Sequence, residues 1–199
     1  MILVVQIRRK SPDLQDEGEA APASAQSPEP ATAVTYEGMI MSAVTALIAG
    51  VMAVYTTGPT GFYRMCLDNP SDCRRVAQTR VVPVEEVREI NSSVNAAIRP
   101  VAEFPGKDEW RVEPRAGDCE DYAITKRHRL IARGIGSANA RLATGEFRGD
   151  EHAVLVLTLS GRAYVLDNLT NALLPADRSA VRIKTIQSAY DPRMWLKAK

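Results

Sequence analysis

Gly117-Asp118-Cys119-Glu120-Asp121-Tyr122 sets one thiol among three carboxylates, where a helix is expected to begin. A helix start favours the thiolate, because unpaired backbone N–H groups and the macrodipole place partial positive charge there. Neighbouring carboxylates act in the opposite sense and raise a thiol's pKa. A reactive cysteine beside a bound cation reconciles the two. Several signals agree on the helix. Asp118 suits the N-cap, and Asp121 falls where a capping-box carboxylate belongs. Lys126, Arg127 and Arg129 lie toward the far end, and Gly134 suits the C′ stop. Ala123, Ile124, Leu130 and Ile131 supply an apolar stripe. Cys119 then falls in the first turn, where a nucleophile can use the dipole. The alternative for a free cysteine is a small buried hydrophobe.

Downstream, His152 to Leu159 is dense in β-formers and reads as a largely buried strand. Ser160-Gly161 suits a two-residue turn, and Arg162 to Asp167 reads as the returning strand. With that turn Leu159 pairs with Arg162, and the register carries Asp167 opposite Val154, on the face of His152 and diagonal to it. Diagonal neighbours lie roughly 7–8 Å apart, within reach of a hydrogen bond between extended side chains. A slip of one residue would send them to opposite faces. In this register His152 and Asp167 form a base–orienter pair, and Cys119 completes a cysteine–histidine–aspartate triad. The other histidine, His128, sits in the basic run Lys126–Arg129, which reads as a solvated helix face.

The motifs GDCEDYA (117–123) followed by Lys126, EHAVLVL (151–157) and VLDNLTN (165–171) together resemble the bacterial transglutaminase-like cysteine proteinases, LapG-type periplasmic proteases among them. The likeness extends upstream through Phe62, Cys66, Pro70, Cys73, INSSVNAAIRPV (90–101), Trp110 and Pro114, and ends at Asp191, Pro192 and Trp195. It covers about residues 61–199. It implies an α+β, papain-like core, with the nucleophile at the N-terminus of a helix packed on an antiparallel β-sheet. It also implies Cys119, His152 and Asp167 as catalytic residues. Calcium near the site is implied too, with Asp118 and Glu120 matching the flanking acids of LapG-type enzymes and Asp121 as a further metal candidate. Calcium prefers hard oxygen ligands, and a dication offsets acidic repulsion at a thiolate. The alternative is that these acids only cap and decorate the helix. For the oxyanion, the backbone N–H of Cys119 is the first donor to consider. Trp110 is an upstream candidate whose packing role is the stronger reading.

The remaining composition sets limits. A chain of 199 residues holds one ordinary domain with spare ends, and a net charge of +1 without a broad basic patch argues against nucleic acid as partner. Residues 1–37, rich in Ala, Pro, Ser and Glu, read as a disordered extension. Residues 38–58 contain an uncharged run, Gly38 to Tyr55, suited to a signal segment or membrane anchor, with a buried core helix as alternative. Cys66 and Cys73 suit a small disulfide loop in an oxidising compartment, which leaves Cys119 unpaired. Pro83 suits the start of a helix running through Val84, Val87, Ile90, Val94 and Ile98 and stopped by Pro100. Asn139–Phe147 and Ser179–Gln187 are expected as further strands.

The expected protein is an exported, periplasmic or membrane-anchored cysteine endopeptidase acting on a protein, by family likeness a large surface adhesin. An inner-membrane receptor is a candidate regulator. The alternatives are transamidation by the same residues and a calcium-binding module of the same fold without turnover.

Overall fold

The computed structural model describes residues 54–102 and 106–198. The extension at residues 1–37 and most of the apolar segment lie outside the described residues. Among the described residues three α-helices, α1 (Thr60–Asp68), α2 (Val84–Ala97) and α3 (Cys119–Ala132), accompany an antiparallel sheet. Its strands are β1 (Tyr55–Thr56), β4 (Ala140–Phe147), β5 (Asp150–Leu159), β6 (Arg162–Asp167), β7 (Thr170–Pro175), β8 (Arg182–Gln187) and β9 (Trp195–Lys197). They lie in the order β1-β9-β8-β4-β5-β6-β7. Two short parallel strands, β2 (Arg99–Pro100) and β3 (Ala116–Gly117), lead from α2 and into α3. The architecture is α+β, with the Cys119 helix packed on the sheet.

Alternation along β5 separates two cores. Ala153, Leu155 and Leu157 pack toward the helices with Ile124, Leu130 and Val94, while Val154 and Val156 join Val165 and Val181 on the other face. The β5–β6 hairpin has the expected register, Leu159 opposite Arg162 and Leu155 opposite Leu166. Ser160 and Gly161 both have positive φ, 47° and 80°, as a type I′ turn requires. The ladder to β7 shifts between Val165 and Asp167, an irregularity of the kind that re-aims a side chain at a strand end.

α3 ends in a Schellman motif. Gly134, at φ 93°, donates its N–H to Ile131, and Ile135 donates to Leu130. The other end differs from expectation. Asp118 occupies the N-cap position but makes no side-chain capping bond, and Asp121 forms no capping box. The basic run is also corrected. Lys126 and Arg127 are wholly buried, because α3 is enclosed by β4, β5, β6 and α2. Arg127 donates to the carbonyls of Ala140 and Asp72, tying β4 to the 3₁₀ turn Pro70–Cys73. His128 pairs with Asp72 at 3.0 Å rather than standing free in solvent.

Cys66 and Cys73 are joined by a disulfide that spans α1 and the 3₁₀ turn Pro70–Cys73. Tyr55–Thr56 pairs with β9, so the folded body takes in residues ahead of 61. Among the described residues no helix is long and apolar enough to cross a membrane.

Candidate active site

A cavity of about 620 Å³ opens where the first turn of α3 meets the start of β5, and Asp118, Cys119, Glu120, His152 and Ala153 line it. Thr57-Gly58-Pro59 and Gly106-Lys107-Asp108 form other parts of its wall. Sequence brings Cys119 here through β3, whose Gly117 is a spatial necessity. A Cβ on Gly117 would stand 1.9 Å from Asp121 Oδ2.

His152 and Asp167 meet as the hairpin register requires, with His152 Nε2 2.8 Å from Asp167 Oδ1. Asp167 Oδ1 also accepts the Leu169 N–H at 3.1 Å. With Nε2 engaged, Nδ1 is the ring nitrogen left for the thiol. Burial pushes the Asp167 carboxyl up, but the His152 hydrogen bond, the Leu169 N–H and the charges of His152 and Lys126 outweigh it. The group is held below its ordinary range. Both residues are almost wholly buried.

Cys119 is the free cysteine among the described residues and is partly buried. Its thiol donates to Glu120 Oε2 at 3.1 Å. Burial raises its pKa strongly and the Glu120 and Asp118 charges raise it further, while the backbone N–H of Ala153 works in the other direction. Sequence anticipated this tension between helix start and flanking acids, and in the folded protein burial, with the acids added to it, prevails. Burial likewise pushes the Glu120 carboxyl up, with Asp118 adding to it.

The three acids separate by role. Asp118 and Glu120 face the cavity, and Asp118 Oδ1 is buried with no hydrogen-bond partner. Asp121 is turned away from it. Its Oδ1 accepts the Arg111 backbone N–H at 2.6 Å and its Oδ2 the Arg111 guanidinium at 2.7 Å. Among the described residues no group of three or more His, Cys, Asp and Glu stands together as a metal cluster.

Trp110 packs edge to face against Phe62 and Trp195 and gives its indole N–H to Asp108 Oδ1 at 2.9 Å. That N–H is engaged, in keeping with a packing role. Asp108 Oδ2 takes the Gly61 N–H at 2.6 Å, so one carboxylate fixes both Trp110 and the start of α1. Asn91 and Asn95 of α2 were not expected at the site. Asn95 Nδ2 donates to the carbonyls of Asp167 and Thr170, each at 3.1 Å, and Asn91 Nδ2 to that of Thr170 at 3.2 Å. The signal was two amides one helical turn apart on a face otherwise apolar.

Three structures of LapG from Legionella pneumophila, one of them calcium-bound and another EGTA-treated, are similar to this chain. The calcium-bound one is 26% identical with a TM-score of 0.50, covering 59% of this chain and 72% of that one. The EGTA-treated one is 26% identical with a TM-score of 0.49, covering 59% and 69%. The third is 28% identical with a TM-score of 0.49, covering 57% and 68%. No curated protein matches. The bacterial transglutaminase-like cysteine proteinase family matches residues 52–199, a span that holds the cavity and every residue described in it. With a free thiol at a helix start and, lining the same cleft, a histidine backed by a carboxylate, the chain belongs to the bacterial transglutaminase-like cysteine proteinases and is a cysteine protease acting on protein.

Proposed function

We propose that this protease is an exported endopeptidase in which Cys119 is the nucleophile, His152 the general base and acid, and Asp167 the residue that orients the imidazole. The observation that carries it is the 2.8 Å contact from His152 Nε2, whose ring lines the cleft that holds Cys119, to Asp167 Oδ1. His152 Nδ1 takes the thiol proton, and the sulfur attacks the scissile carbonyl, with the Cys119 backbone N–H as oxyanion donor. The tetrahedral adduct collapses to a thioester as His152 protonates the leaving amine. A water molecule deprotonated by His152 then attacks the thioester, and release of the acid returns the proton to sulfur.

Calcium fits the chemistry of the donors. Asp118 and Glu120 offer hard oxygens in the cleft, Asp118 Oδ1 is buried without a partner, and burial disfavours the Glu120 charge. Asp121, engaged by Arg111, braces the turn beneath them. Asp118 and Glu120 would hold the cation, which would supply positive charge against their field at the sulfur. The Cys66–Cys73 disulfide supports an oxidising compartment, hence export to the periplasm. The LapG-type likeness favours a large surface adhesin as substrate and an inner-membrane receptor as regulator.

Cys119→Ala is expected to abolish peptide cleavage with the fold intact, and a calcium chelator to reduce it in the parent. Retained cleavage in Cys119→Ala overturns the reading. An amine-linked product in place of a free carboxylate would assign transamidation instead.

A further inference from the structure

Residues 38–63 carry no charged side chain, and the first charge beyond Glu37 is that of Arg64. β1 begins inside this run, so no hydrophilic linker separates the apolar segment from the folded body. Around that entry the surface is apolar. Val54 and Tyr55 are exposed, and so are Tyr63, Leu67, Tyr190 and Met194. Six of the nine large apolar side chains exposed among the described residues thus gather on β1, α1 and the turn before β9. Isolated exposed apolar residues need no explanation, but a gathered set does.

Contacts tie these elements into one face. Tyr55 stands opposite Leu196 of β9, and Lys197 donates its N–H to the Val54 carbonyl. The Tyr63 hydroxyl donates to the Arg193 carbonyl at 3.3 Å and accepts the Gly58 N–H at 3.2 Å. Leu67 follows one helical turn along the same side of α1 and is 82% exposed. Tyr190, 78% exposed, and Arg193 share a shallow cavity of about 240 Å³ with Arg74 and Arg75. Those two arginines are exposed and enter no ion pair among the described residues, and Arg64 adds a third cation beside Tyr63. Asp191 neutralises Arg193, which leaves Asp68 as the acid opposing the other three on these elements. Tyrosine, aliphatic and arginine side chains together suit the headgroup layer of a bilayer. Their apolar bodies enter the acyl boundary while hydroxyls and guanidiniums stay in water and on phosphates.

We propose that the folded body itself rests on a membrane through this face, with the six apolar side chains in the interfacial layer and Arg64, Arg74 and Arg75 on anionic lipid headgroups. The uncharged run and the body then share one membrane surface. Thr57-Gly58-Pro59 joins β1 of this face to the wall of the cleft, so docking sets the cleft close to the headgroups, where a membrane-held protein substrate would meet it.

The test does not depend on the triad reading, and it uses the full chain with Cys119→Ala, so that one introduced cysteine takes a fluorescent label. Tyr190→Cys places the label in the face. Leu169→Cys places it at the exposed β6–β7 turn, on the opposite edge of the sheet. The probe is a vesicle of phosphatidylethanolamine and phosphatidylglycerol that contains a lipid spin-labelled near its headgroup. Strong quenching is expected at position 190 and little at 169. Arg74→Glu with Arg75→Glu should reduce quenching at 190 about twofold or more, and added salt should act in the same direction. Leu67→Glu should weaken it as well, and should that variant not fold, the arginine pair decides. A chain that sediments with vesicles but is not quenched at 190 overturns the proposal, since the apolar run alone then tethers it. Equal quenching at 190 and 169, quenching indifferent to the arginine pair, or no binding to vesicles overturns it equally. Unquenched label at 190 in a chain that dimerises would give the face to a second copy instead. Peptide cleavage surviving in Cys119→Ala would remove the proposed nucleophile and leave these readings untouched.

Discussion

At the residue scale, Cys119, the proposed nucleophile, is under restraint. Burial and the acids on either side favour the thiol, and Glu120 accepts its hydrogen bond. Glu120→Gln should therefore lower the thiol pKa in chelator while diminishing the response to calcium, as thiol alkylation across pH would show. Unchanged reactivity in chelator would mean that the Glu120 charge does not reach the sulfur. Lys126 has a signature of its own in stability. Its pKa is about 10.4 when unfolded and about 7 when folded. Between these values the unfolded chain binds more protons, so stability rises with pH across that window, and the cost of burying the charge is complete below it. Lys126→Met should abolish that slope and raise the unfolding midpoint at pH 7, measured by urea denaturation at several pH values. The acids around Cys119 were legible in sequence as a chemical conflict. Their division of labour was not, because adjacent helix positions point in different directions and only tertiary packing assigns Arg111 to Asp121.

At the element scale, the β5–β6 hairpin was readable because Ser160-Gly161 admits one tight turn, and that turn fixes which residues stand opposite. The helix boundaries of α3 were readable for the same local reason, from Gly134 at its end. Its basic run misled, since periodicity assumes a helix with one wet face. α3 is enclosed on several sides, so Lys126 and Arg127 are interior groups, and Arg127 ties β4 to the Pro70–Cys73 turn. The role of α2 was likewise hidden. INSSVNAAIRPV reads as an amphipathic helix, and only the folded protein reveals Asn91 and Asn95 gripping the β6–β7 turn. Asn95→Ala should cost about 1 to 2 kcal/mol of stability and lower kcat more than it raises KM. A loss of stability with kcat unchanged would reduce Asn95 to a structural tie.

At the scale of the whole molecule, an antiparallel sheet and three helices bring together residues distant in sequence. The chain ahead of α1 closes the cleft through Thr57-Gly58-Pro59 and pairs its β1 with β9. That was not legible, because Tyr55 continues an apolar run whose composition suits a membrane as well as a strand. The disulfide was legible as a spacing. Replacing both Cys66 and Cys73 by Ser should lower stability by about 2 kcal/mol, measured by urea unfolding, while leaving the peptide-cleavage rate of the folded protein unchanged. In the proposed function this fold turns a restrained thiol into a nucleophile, with His152 as its base and calcium as its aid. The most direct measurement is the pH dependence of Cys119 alkylation in the parent and in His152→Ala, each with calcium and with chelator. A midpoint below the free-thiol value of about 8.5 is expected in the calcium-loaded parent, moved upward by chelator and by loss of His152. A midpoint at or above the free value in every condition, indifferent to His152, would contradict it.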